Sequence, residues 1–339
     1  MSKVFVTRPI PKVGLELLKA KGWEVVVNEK AENRAATKEE MISTLRQAKG
    51  EGKAFSAILS VLTDKIDADV MDAGLLASQN PGEGGPLKII ANYAVGFDNL
   101  DVEGAKKRNI LLTNTPGVLT DTVAEHTFSL ILSIAHRISE ADRFSRAGMY
   151  KAWGPELLLG TDVSGKTLGV VGLGRIGSRV AHHAVKGFGM KVVYYDPKPN
   201  PEFEKEYGAQ YADNLDNLLP LCDFVSIHVP LLDSTRHLMN EARLKLMKKS
   251  AYLINTSRGP IIDEKVLALS LSKGWIRGAA IDVFEFEPEI TPELKKLDNI
   301  IMTPHIASAT QETRDKMSEM AAQNIVEALE GRVPPNLVK

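Results

Sequence analysis

The sequence predicts an α/β fold in which two doubly wound parallel sheets form two domains, one of them inserted into the other. Short apolar strands alternate with helical patterns from Val4 onward, which is typical of parallel sheets covered on both faces. A chain of 339 residues is too long for one compact core and suits two domains. The final helical pattern, about residues 309–329, has no strand after it, so we expect it to return to the first domain.

The composition is typical of a soluble protein. Apolar residues make up 44% of the chain, charged residues 25%, and the net charge is −1. No basic excess indicates nucleic acid or an anionic membrane as a partner. Cys222 is the only cysteine, which excludes an intrachain disulfide and a cysteine-rich zinc site, and we expect no metal. The first residues lack the apolar run of a signal peptide, and no stretch approaches membrane-spanning length. We therefore expect a cytoplasmic protein that acts on no membrane.

The first part of the chain is predicted to form strands joined by helices and loops. The strands are expected at 4–6, 24–27, 57–61, 87–91 and 110–113. Thr37 and Glu40 have the spacing of a capping box before a helix that extends to Ala48. Residues 50–53 and 78–86 are turn-rich and are expected to be exposed loops. A helical pattern from about 118 to 146 is longer than usual and could bridge domains or subunits, or be a plain core helix.

Three glycines, at 172, 174 and 177, follow the apolar strand 166–171 and precede a helical pattern. The first permits a tight turn, the second lets the backbone approach a pyrophosphate, and the third lets the helix pack on the strand. The N–H groups at the start of the helix then face the phosphates. This order of strand, turn and helix predicts a Rossmann-type dinucleotide site, although such a motif can also be a surface turn.

The next strand, 192–196, ends in Asp196, which follows Gly177 by 19 positions. A carboxylate there can accept both ribose hydroxyls and repel a 2′-phosphate. The sequence therefore favours NAD(H) over NADP(H). The alternative is a solvated surface aspartate.

Later strands are predicted at 223–230, 251–259, 278–284 and 299–305, and a polar residue lies at or near the end of each. Ligands of open α/β sheets bind outside the carboxyl ends of the strands. His228, Arg258 and Asp282 lie at such ends, and His305 ends the last strand. Gly96 lies in a polar turn after an earlier strand, where backbone N–H groups can meet an anion or form an ordinary turn.

Arg258, Glu287 and His305 have the chemistry needed to reduce a carbonyl beside a carboxylate. Histidine can donate the proton near neutral pH, and a carboxylate on its other ring nitrogen holds the tautomer and favours the imidazolium. Arginine offers two donors to the substrate carboxylate. These side chains suffice if NADH supplies the hydride. Each residue also has an alternative structural role. Arg258 could be a capping residue at the surface, Glu287 could be solvated, and His305 could be buried with its hydrogen bonds satisfied. We assign no role to the histidines at 126, 136, 182, 183 and 237.

Taken together, these motifs resemble those of the D-isomer-specific 2-hydroxyacid dehydrogenases over nearly the whole chain. The matching segments are 172–177 with Asp196, 228–231, 255–259, 282–288 and 304–308. Glu287 follows Arg258 by 29 positions and precedes His305 by 18, which is similar to the family's Arg–Glu–His set.

The resemblance implies a fold and a set of site residues. It implies two Rossmann-like domains, with the NAD-binding domain at 118–307 inserted into a discontinuous substrate (lid) domain at 1–117 and 308–339. Arg258 would bind substrate, His305 would be the acid/base and Glu287 its partner, while Val95 and Gly96 would offer N–H groups to the substrate carboxylate. The implied cofactor contacts are Gly172, Gly174, Arg175, Ile176, Gly177, Asp196, His228, Val229, Pro230, Thr256, Ser257, Arg258, Asp282, His305 and Ala307.

Within the family, residues 92–99 and 113–120 resemble the glyoxylate/hydroxypyruvate reductase branch. The expected reaction is reduction of a small 2-oxo acid, glyoxylate or hydroxypyruvate, to the D-2-hydroxy acid by NADH. Glyoxylate reductases often accept NADPH, but Asp196 departs from the basic or small residue that suits a 2′-phosphate. We expect the substrate to bind in a cleft between domains that closes, and the protein to be a homodimer.

Other functions stay open. Glu287 argues against formate dehydrogenase, whose pattern has glutamine there, and we expect no C-terminal regulatory domain, which weakens a phosphoglycerate dehydrogenase assignment. The alternatives are another D-2-hydroxyacid dehydrogenase, such as D-lactate or D-glycerate/phosphoglycerate dehydrogenase, and an NAD(H)-sensing binding protein of the corepressor type.

Overall fold

The computed structural model describes residues 2–32, 34–75 and 87–338. The chain divides into two compact units, one made of Met1–Leu119 with Thr310–Lys339 and the other of Thr120–Ala309. Each described unit contains a parallel sheet, so the predicted fold class is confirmed. The predicted domain boundaries lie two residues before those of the compact units. The predicted loop at 78–86 lies outside the described residues.

The first unit contains a five-stranded sheet in the order β2-β1-β3-β4-β5. Its strands are β1 (Lys3–Val6), β2 (Glu24–Val27), β3 (Ala57–Val61), β4 (Ile89–Tyr93) and β5 (Leu111–Thr113). Its helices, with all helices numbered along the chain, are α1 (Lys12–Ala20), α2 (Lys38–Gly50), α3 (Ala68–Gly74), α4 (Val102–Lys107) and α12 (Gln311–Leu329). The capping box at Thr37 and Glu40 is confirmed, because each residue's side chain accepts a hydrogen bond from the other's backbone N–H.

The last helix, α12, packs on α1. The backbone N–H of Gly14 donates to Ser318 Oγ at 3.2 Å, and Ser318 Oγ donates to the carbonyl of Pro11 at 2.7 Å. A Cβ on Gly14 would lie 2.3 Å from the backbone oxygen of Ser318. Glycine is therefore required for the two helices to approach this closely.

The second unit contains a seven-stranded sheet in the order β12-β11-β10-β9-β6-β7-β8. Its strands are β6 (Thr167–Val171), β7 (Lys191–Tyr195), β8 (Gln210–Tyr211), β9 (Phe224–Ile227), β10 (Tyr252–Asn255), β11 (Gly278–Ile281) and β12 (Ile300–Met302). Its helices are α5 (Thr120–Ala135), α6 (Ile138–Arg146), α7 (Arg175–Phe188), α8 (Pro201–Tyr207), α9 (Leu215–Leu218), α10 (Glu241–Leu246) and α11 (Glu264–Ser272). The strand order reverses at β6, and a crevice at such a point binds ligands in open α/β sheets.

The prediction of one continuous helix over 118–146 is wrong. Two helices, α5 and α6, meet at Arg137, whose φ of 55° and ψ of 34° are left-handed. The chain returns against the end of α5, where Thr161 N donates to the carbonyl of Ala135 at 2.8 Å. A Cβ on Gly160 would lie 2.4 Å from the same carbonyl oxygen. The helix therefore ends where a residue more than twenty positions away contacts it. No pattern in the local sequence predicts this contact.

The strands after Gly177 are shorter than predicted at their carboxyl ends. β9, β10, β11 and β12 end at residues 227, 255, 281 and 302, so the polar residues that follow lie in loops. In the described part of the chain, no helix is both long and apolar enough to cross a membrane. The same residues hold no cluster of three or more His, Cys, Asp or Glu side chains suited to a metal ion.

Candidate active site

The three glycines form a turn between β6 and α7 that leaves open space at the start of the helix. Gly172 has a φ of 95°, and a Cβ there would lie 2.8 Å from the carbonyl oxygen of His228. A Cβ on Gly177 would lie 2.1 Å from the oxygen of Gly172, so neither position accepts another residue without displacement. Gly174 precedes the first helical residue, and a Cβ there would have no neighbour within 4 Å among the described residues.

No side chain of the described residues caps the N-terminus of α7. The helix has 14 residues, and its first N–H groups, at Arg175, Ile176 and Gly177, lack intrahelical partners. An anionic group can accept from these N–H groups and is favoured by the helix dipole. The turn therefore fits the pyrophosphate of a dinucleotide.

Asp196 follows β7 directly and faces this turn. Its Oδ2 accepts a hydrogen bond from Leu173 N at 2.8 Å, which ties the carboxylate to the glycine turn. The side chain lines a surface pocket together with Leu173, Lys198, Pro199, Asn200, Pro201 and Glu202. One carboxylate oxygen thus orients the side chain, and a ribose beside the turn would meet the other.

His228 lies in the loop after β9, beside Gly172. Its Nε2 lies 2.8 Å from Ser226 Oγ, and burial lowers the pKa of His228 to about 3. The imidazole is therefore neutral at any pH near 7 and cannot serve as a proton donor there. Val229 and Pro230 continue the loop toward solvent and are progressively more exposed.

The loop that carries Arg258 is shaped by Asn255, the buried last residue of β10. Asn255 Oδ1 accepts from Ser257 N at 3.0 Å, and its Nδ2 donates to the carbonyl of Arg258 at 2.9 Å. Thr256 is held by a 2.8 Å hydrogen bond between its Oγ1 and that of Thr127 on α5. The local amide–backbone bonds fix the path of the chain from which the Arg258 side chain extends.

The structure brings His305 and Glu287 together. His305 Nδ1 lies 3.0 Å from Glu287 Oε2 and 3.2 Å from Oε1, and both side chains are about one quarter exposed. Phe284 N donates to Glu287 Oε1 at 3.0 Å. Because Nδ1 faces a carboxylate, it is the nitrogen that carries a proton, and Nε2 is left for a ligand. A buried His305 does not match this geometry, whereas Glu287 is both paired with His305 and exposed to solvent.

Asp282 is buried and holds the loop that carries His305. Its Oδ1 accepts from Thr303 Oγ1 at 2.6 Å and from Ile306 N at 2.8 Å, and its Oδ2 accepts from Ala307 N at 2.8 Å. Burial alone raises its pKa, but the nearby His126 and these hydrogen-bond donors outweigh burial and hold the pKa of Asp282 below its usual value. The carboxylate is therefore charged at neutral pH, and it accepts hydrogen bonds from residues that precede and follow His305 in the chain.

Strand order explains why these loops meet. β10, β11 and β12 are adjacent and parallel, so the loops with Arg258, Glu287 and His305 leave the sheet at one edge. Gly259 brings the first two loops into contact, since a Cβ there would lie 1.9 Å from the carbonyl carbon of Phe284. The three predicted catalytic residues thus come from three neighbouring loops.

In the first unit, the turn at Val95 and Gly96 has its carbonyls held by asparagines. Asn114 Nδ2 donates to the carbonyl of Val95 at 2.8 Å, and Asn92 Nδ2 donates to that of Gly96 at 3.0 Å. Within the described part of the chain, neither backbone N–H of the turn donates to another residue. The turn therefore offers two N–H groups to an anion.

Several residues with a role in this geometry were missed from the sequence. They are Asn92, Asn114, His126 and Asn255, together with Glu264 and Glu285 described below. The asparagines had a local signal, because each lies at or just beyond the end of a strand beside a turn. His126 had none, since its contact with Asp282, at 3.6 Å, joins α5 to a loop more than 150 residues away.

A dinucleotide turn at the switch point of a parallel sheet, in the same unit as a paired histidine and carboxylate, is typical of a nicotinamide-dependent oxidoreductase. Comparisons with known proteins agree. Residues 128–307 match the NAD binding domain of the D-isomer specific 2-hydroxyacid dehydrogenases. The glyoxylate reductase of Korarchaeum cryptofilum is 46% identical over 99% of this chain and 95% of its own, and that of Thermofilum pendens is 48% identical over 99% and 94%.

Solved structures are similar over their full lengths. The TT0316 protein from Thermus thermophilus has a TM-score of 0.89 and 40% identity, covering 99% of this chain and 100% of its own. The NADPH-dependent glyoxylate/hydroxypyruvate reductase from Sinorhizobium meliloti, in complex with citrate, has a TM-score of 0.81 and 30% identity, covering 100% and 98%. This chain belongs to the D-isomer specific 2-hydroxyacid dehydrogenase family, as its motifs predict.

Proposed function

We propose that this protein reduces glyoxylate or hydroxypyruvate to the D-2-hydroxy acid with NADH. The observation that carries the proposal is the contact of 3.0 Å between His305 Nδ1 and Glu287 Oε2, in the unit that also bears the dinucleotide turn. The substrate class is supported by relatives named glyoxylate reductase and by a structural neighbour named glyoxylate/hydroxypyruvate reductase. A panel of 2-oxo acids assayed with both nucleotides tests it, and absence of turnover with every one would overturn it.

In this proposal each predicted residue has a separate task. Bound NADH supplies the hydride that adds to C2 of the substrate. Arg258 binds the substrate carboxylate and polarises the carbonyl, while the N–H groups of Val95 and Gly96 donate to the carboxylate. His305, in its imidazolium form, gives a proton from Nε2 to the carbonyl oxygen, and Glu287 accepts from Nδ1 and so holds the ring in place. The neutral His228 contributes no proton and packs beside the cofactor turn.

The remaining cofactor contacts follow the geometry of the glycine turn and the strand-end loops. We propose that the cofactor is bound by the backbone of the turn and of the strand-end loops, through Gly172, Gly174, Arg175, Ile176, Gly177, His228, Val229, Pro230, Thr256, Ser257, Arg258, Asp282, His305 and Ala307. Asp282 and Ala307 already hydrogen-bond each other, so in this proposal they form part of the wall of the cofactor site. Asp196 would accept the hydroxyls of the adenine ribose.

Asp196→Ala should narrow the preference for NADH over NADPH by about tenfold, because the substitution removes one charge that repels the 2′-phosphate. The measurement is kcat/KM for both nucleotides with one 2-oxo acid. Asp233→Ala, which removes an exposed carboxylate outside the pocket lined by Asp196, should leave the ratio unchanged. If the ratio of kcat/KM for NADH to kcat/KM for NADPH is unchanged in Asp196→Ala, the carboxylate does not contact the ribose.

The proposed assembly is a homodimer. Six large apolar side chains are exposed within residues 138–159, where a second copy of the chain could bury them. They are Ile138, Met149, Tyr150, Trp153, Leu157 and Leu159. Five of the six lie after α6, so the proposed interface is formed by the segment 138–159 rather than by α5, whose side chains Leu130, Ile131 and Ile134 are buried in the core of the unit.

Light scattering should give about twice the chain mass of 37.1 kDa for the wild-type protein in solution. The pair Tyr150→Glu with Trp153→Glu should shift the mass toward one chain, because buried charge disfavours association. Val333→Glu is the matched control, since Val333 is 78% exposed and Trp153 79%, but it lies outside this segment. A wild-type mass of one chain at micromolar concentration would contradict the dimer.

A further inference from the structure

Glu264 is a buried carboxylate to which the proposed reaction gives no role. It is the first residue of α11 and only 1% exposed. Its Oε1 accepts from Glu285 N at 2.6 Å, and its Oε2 accepts from Thr291 Oγ1 at 2.6 Å. Burying a carboxylate is costly unless strong hydrogen bonds compensate it, so these contacts are substantial.

The two contacts of Glu264 lie on either side of Glu287 along the chain. Residues 285 and 291 enclose the short segment that carries the carboxylate facing His305. Within that segment, Glu289 N donates to the carbonyl of Phe286 at 2.9 Å, which closes a tight turn. One buried side chain thus holds both ends of the turn from which Glu287 reaches its partner.

A second carboxylate reinforces the first. Glu285 Oε2 accepts from Glu264 N at 3.2 Å, so the two glutamates bind each other's backbone reciprocally. Glu285 Oε1 lies 2.6 Å from His237 Nε2 at the partly exposed end of the network. The close approach of Gly259 to Phe284 holds the same loop from the side of Arg258. The loop is therefore fixed by side chains that do not face the proposed substrate.

We propose that Glu264 is a positioning residue that sets Glu287 against His305 and so maintains the proton donor of the reaction. This inference rests on the proposed roles of His305 and Glu287. The effect of Glu287 on His305 depends on the distance between them, since a displacement of about 1 Å in a catalytic group can cost about 100-fold in rate. No substrate or cofactor contact of Glu264 is required.

Glu264→Gln tests the proposal with little change in volume. The amide NH₂ of the new glutamine would face either the backbone N–H of Glu285 or the hydroxyl of Thr291. The hydroxyl can rotate and accept a hydrogen bond from the NH₂ group, but the backbone N–H can only donate, so that orientation loses a hydrogen bond. We expect kcat for 2-oxo acid reduction to fall about tenfold, with the Kd of NADH within about twofold of wild type. Thr291→Val removes a single donor to Glu264 and should produce a smaller change in the same direction, which provides a second variant should Glu264→Gln fold poorly.

Two controls separate positioning from stability. Lys265→Gln alters an exposed side chain next in sequence and should leave all parameters unchanged. Leu267→Ala removes buried volume from the same helix and should lower Tm while sparing kcat. A Glu264→Gln variant that loses Tm like Leu267→Ala but keeps its kcat would overturn the proposal.

A double-mutant cycle with Glu287→Gln is the sharper test. Because Glu264 acts through Glu287, adding Glu264→Gln to the Glu287→Gln variant should cause little further loss of kcat. Independent losses that multiply would overturn the proposal. The His305 ring can also be followed by NMR without turnover, and its chemical shifts should change in both single variants because the contact between Nδ1 and the Glu287 carboxylate is altered. Unchanged His305 chemical shifts in Glu264→Gln would refute the positioning role, whatever substrate the enzyme reduces.

Discussion

Replacing His305 with glutamine should lower kcat for 2-oxo acid reduction by about 10²–10⁴-fold, because general acid catalysis by a positioned side chain contributes that much. Glutamine can still hydrogen-bond Glu287 but cannot give up a proton. The Kd of NADH should change far less than kcat, since His305 is one of many proposed cofactor contacts but the only proposed proton donor. Stopped-flow single turnovers and fluorescence titration with NADH measure the two quantities.

His136→Gln is the matched control for this substitution, because His136 is exposed and lies at the end of α5. It should change neither kcat nor NADH binding. Equal losses of kcat and of NADH affinity in His305→Gln would instead assign a structural role to His305. His228 does not compete for the role of donor, since burial lowers the pKa of His228 to about 3.

Replacing Arg258 with alanine should raise the KM for the 2-oxo acid and lower kcat/KM by about 10²–10⁴-fold. The guanidinium is proposed to make two charge-assisted hydrogen bonds to the substrate, each contributing about 1.5–3 kcal/mol. Arg258→Lys keeps the charge but loses the fork, so its loss should be smaller, about 10–100-fold. Initial rates over a range of substrate concentrations provide both parameters.

Added guanidine offers a specific check on the Arg258 variants. If the side chain binds the substrate directly, guanidinium ions should restore part of the activity of Arg258→Ala and none of that of Arg258→Lys. A variant with unchanged KM and kcat would mean that Arg258 has a structural role, such as holding Ser257, to whose carbonyl its Nη1 donates at 2.7 Å.

The sequence predicted the features whose cause is local. The glycine turn, the capping box at Thr37 and the approximate positions of the strands other than β8 follow from residues close together in the chain. The edge that carries Arg258, Glu287 and His305 was predicted because the carboxyl ends of parallel strands meet on one side of a sheet. Polar residues at strand ends therefore predicted the edge of the sheet at which these three side chains lie.

The features that escaped prediction depend on distant contacts. The break at Arg137 exists because the chain returns to Ala135 at Thr161. Glu264 has an ordinary place in the first turn of a helix, and only the fold brings its carboxylate to Glu285 and Thr291. Likewise His126 lies in a helical pattern and becomes a neighbour of Asp282 only in the folded unit. Such residues cannot be recognised from spacing alone.

The central claim is that the His305–Glu287 pair delivers a proton while NADH delivers a hydride to a small 2-oxo acid. The most direct measurement is NADH consumption by the purified protein on addition of hydroxypyruvate, with chiral analysis of the product. We expect stoichiometric loss of NADH and formation of D-glycerate, and equivalent turnover of glyoxylate to glycolate. Formation of L-glycerate, or no loss of NADH with any small 2-oxo acid, would contradict it.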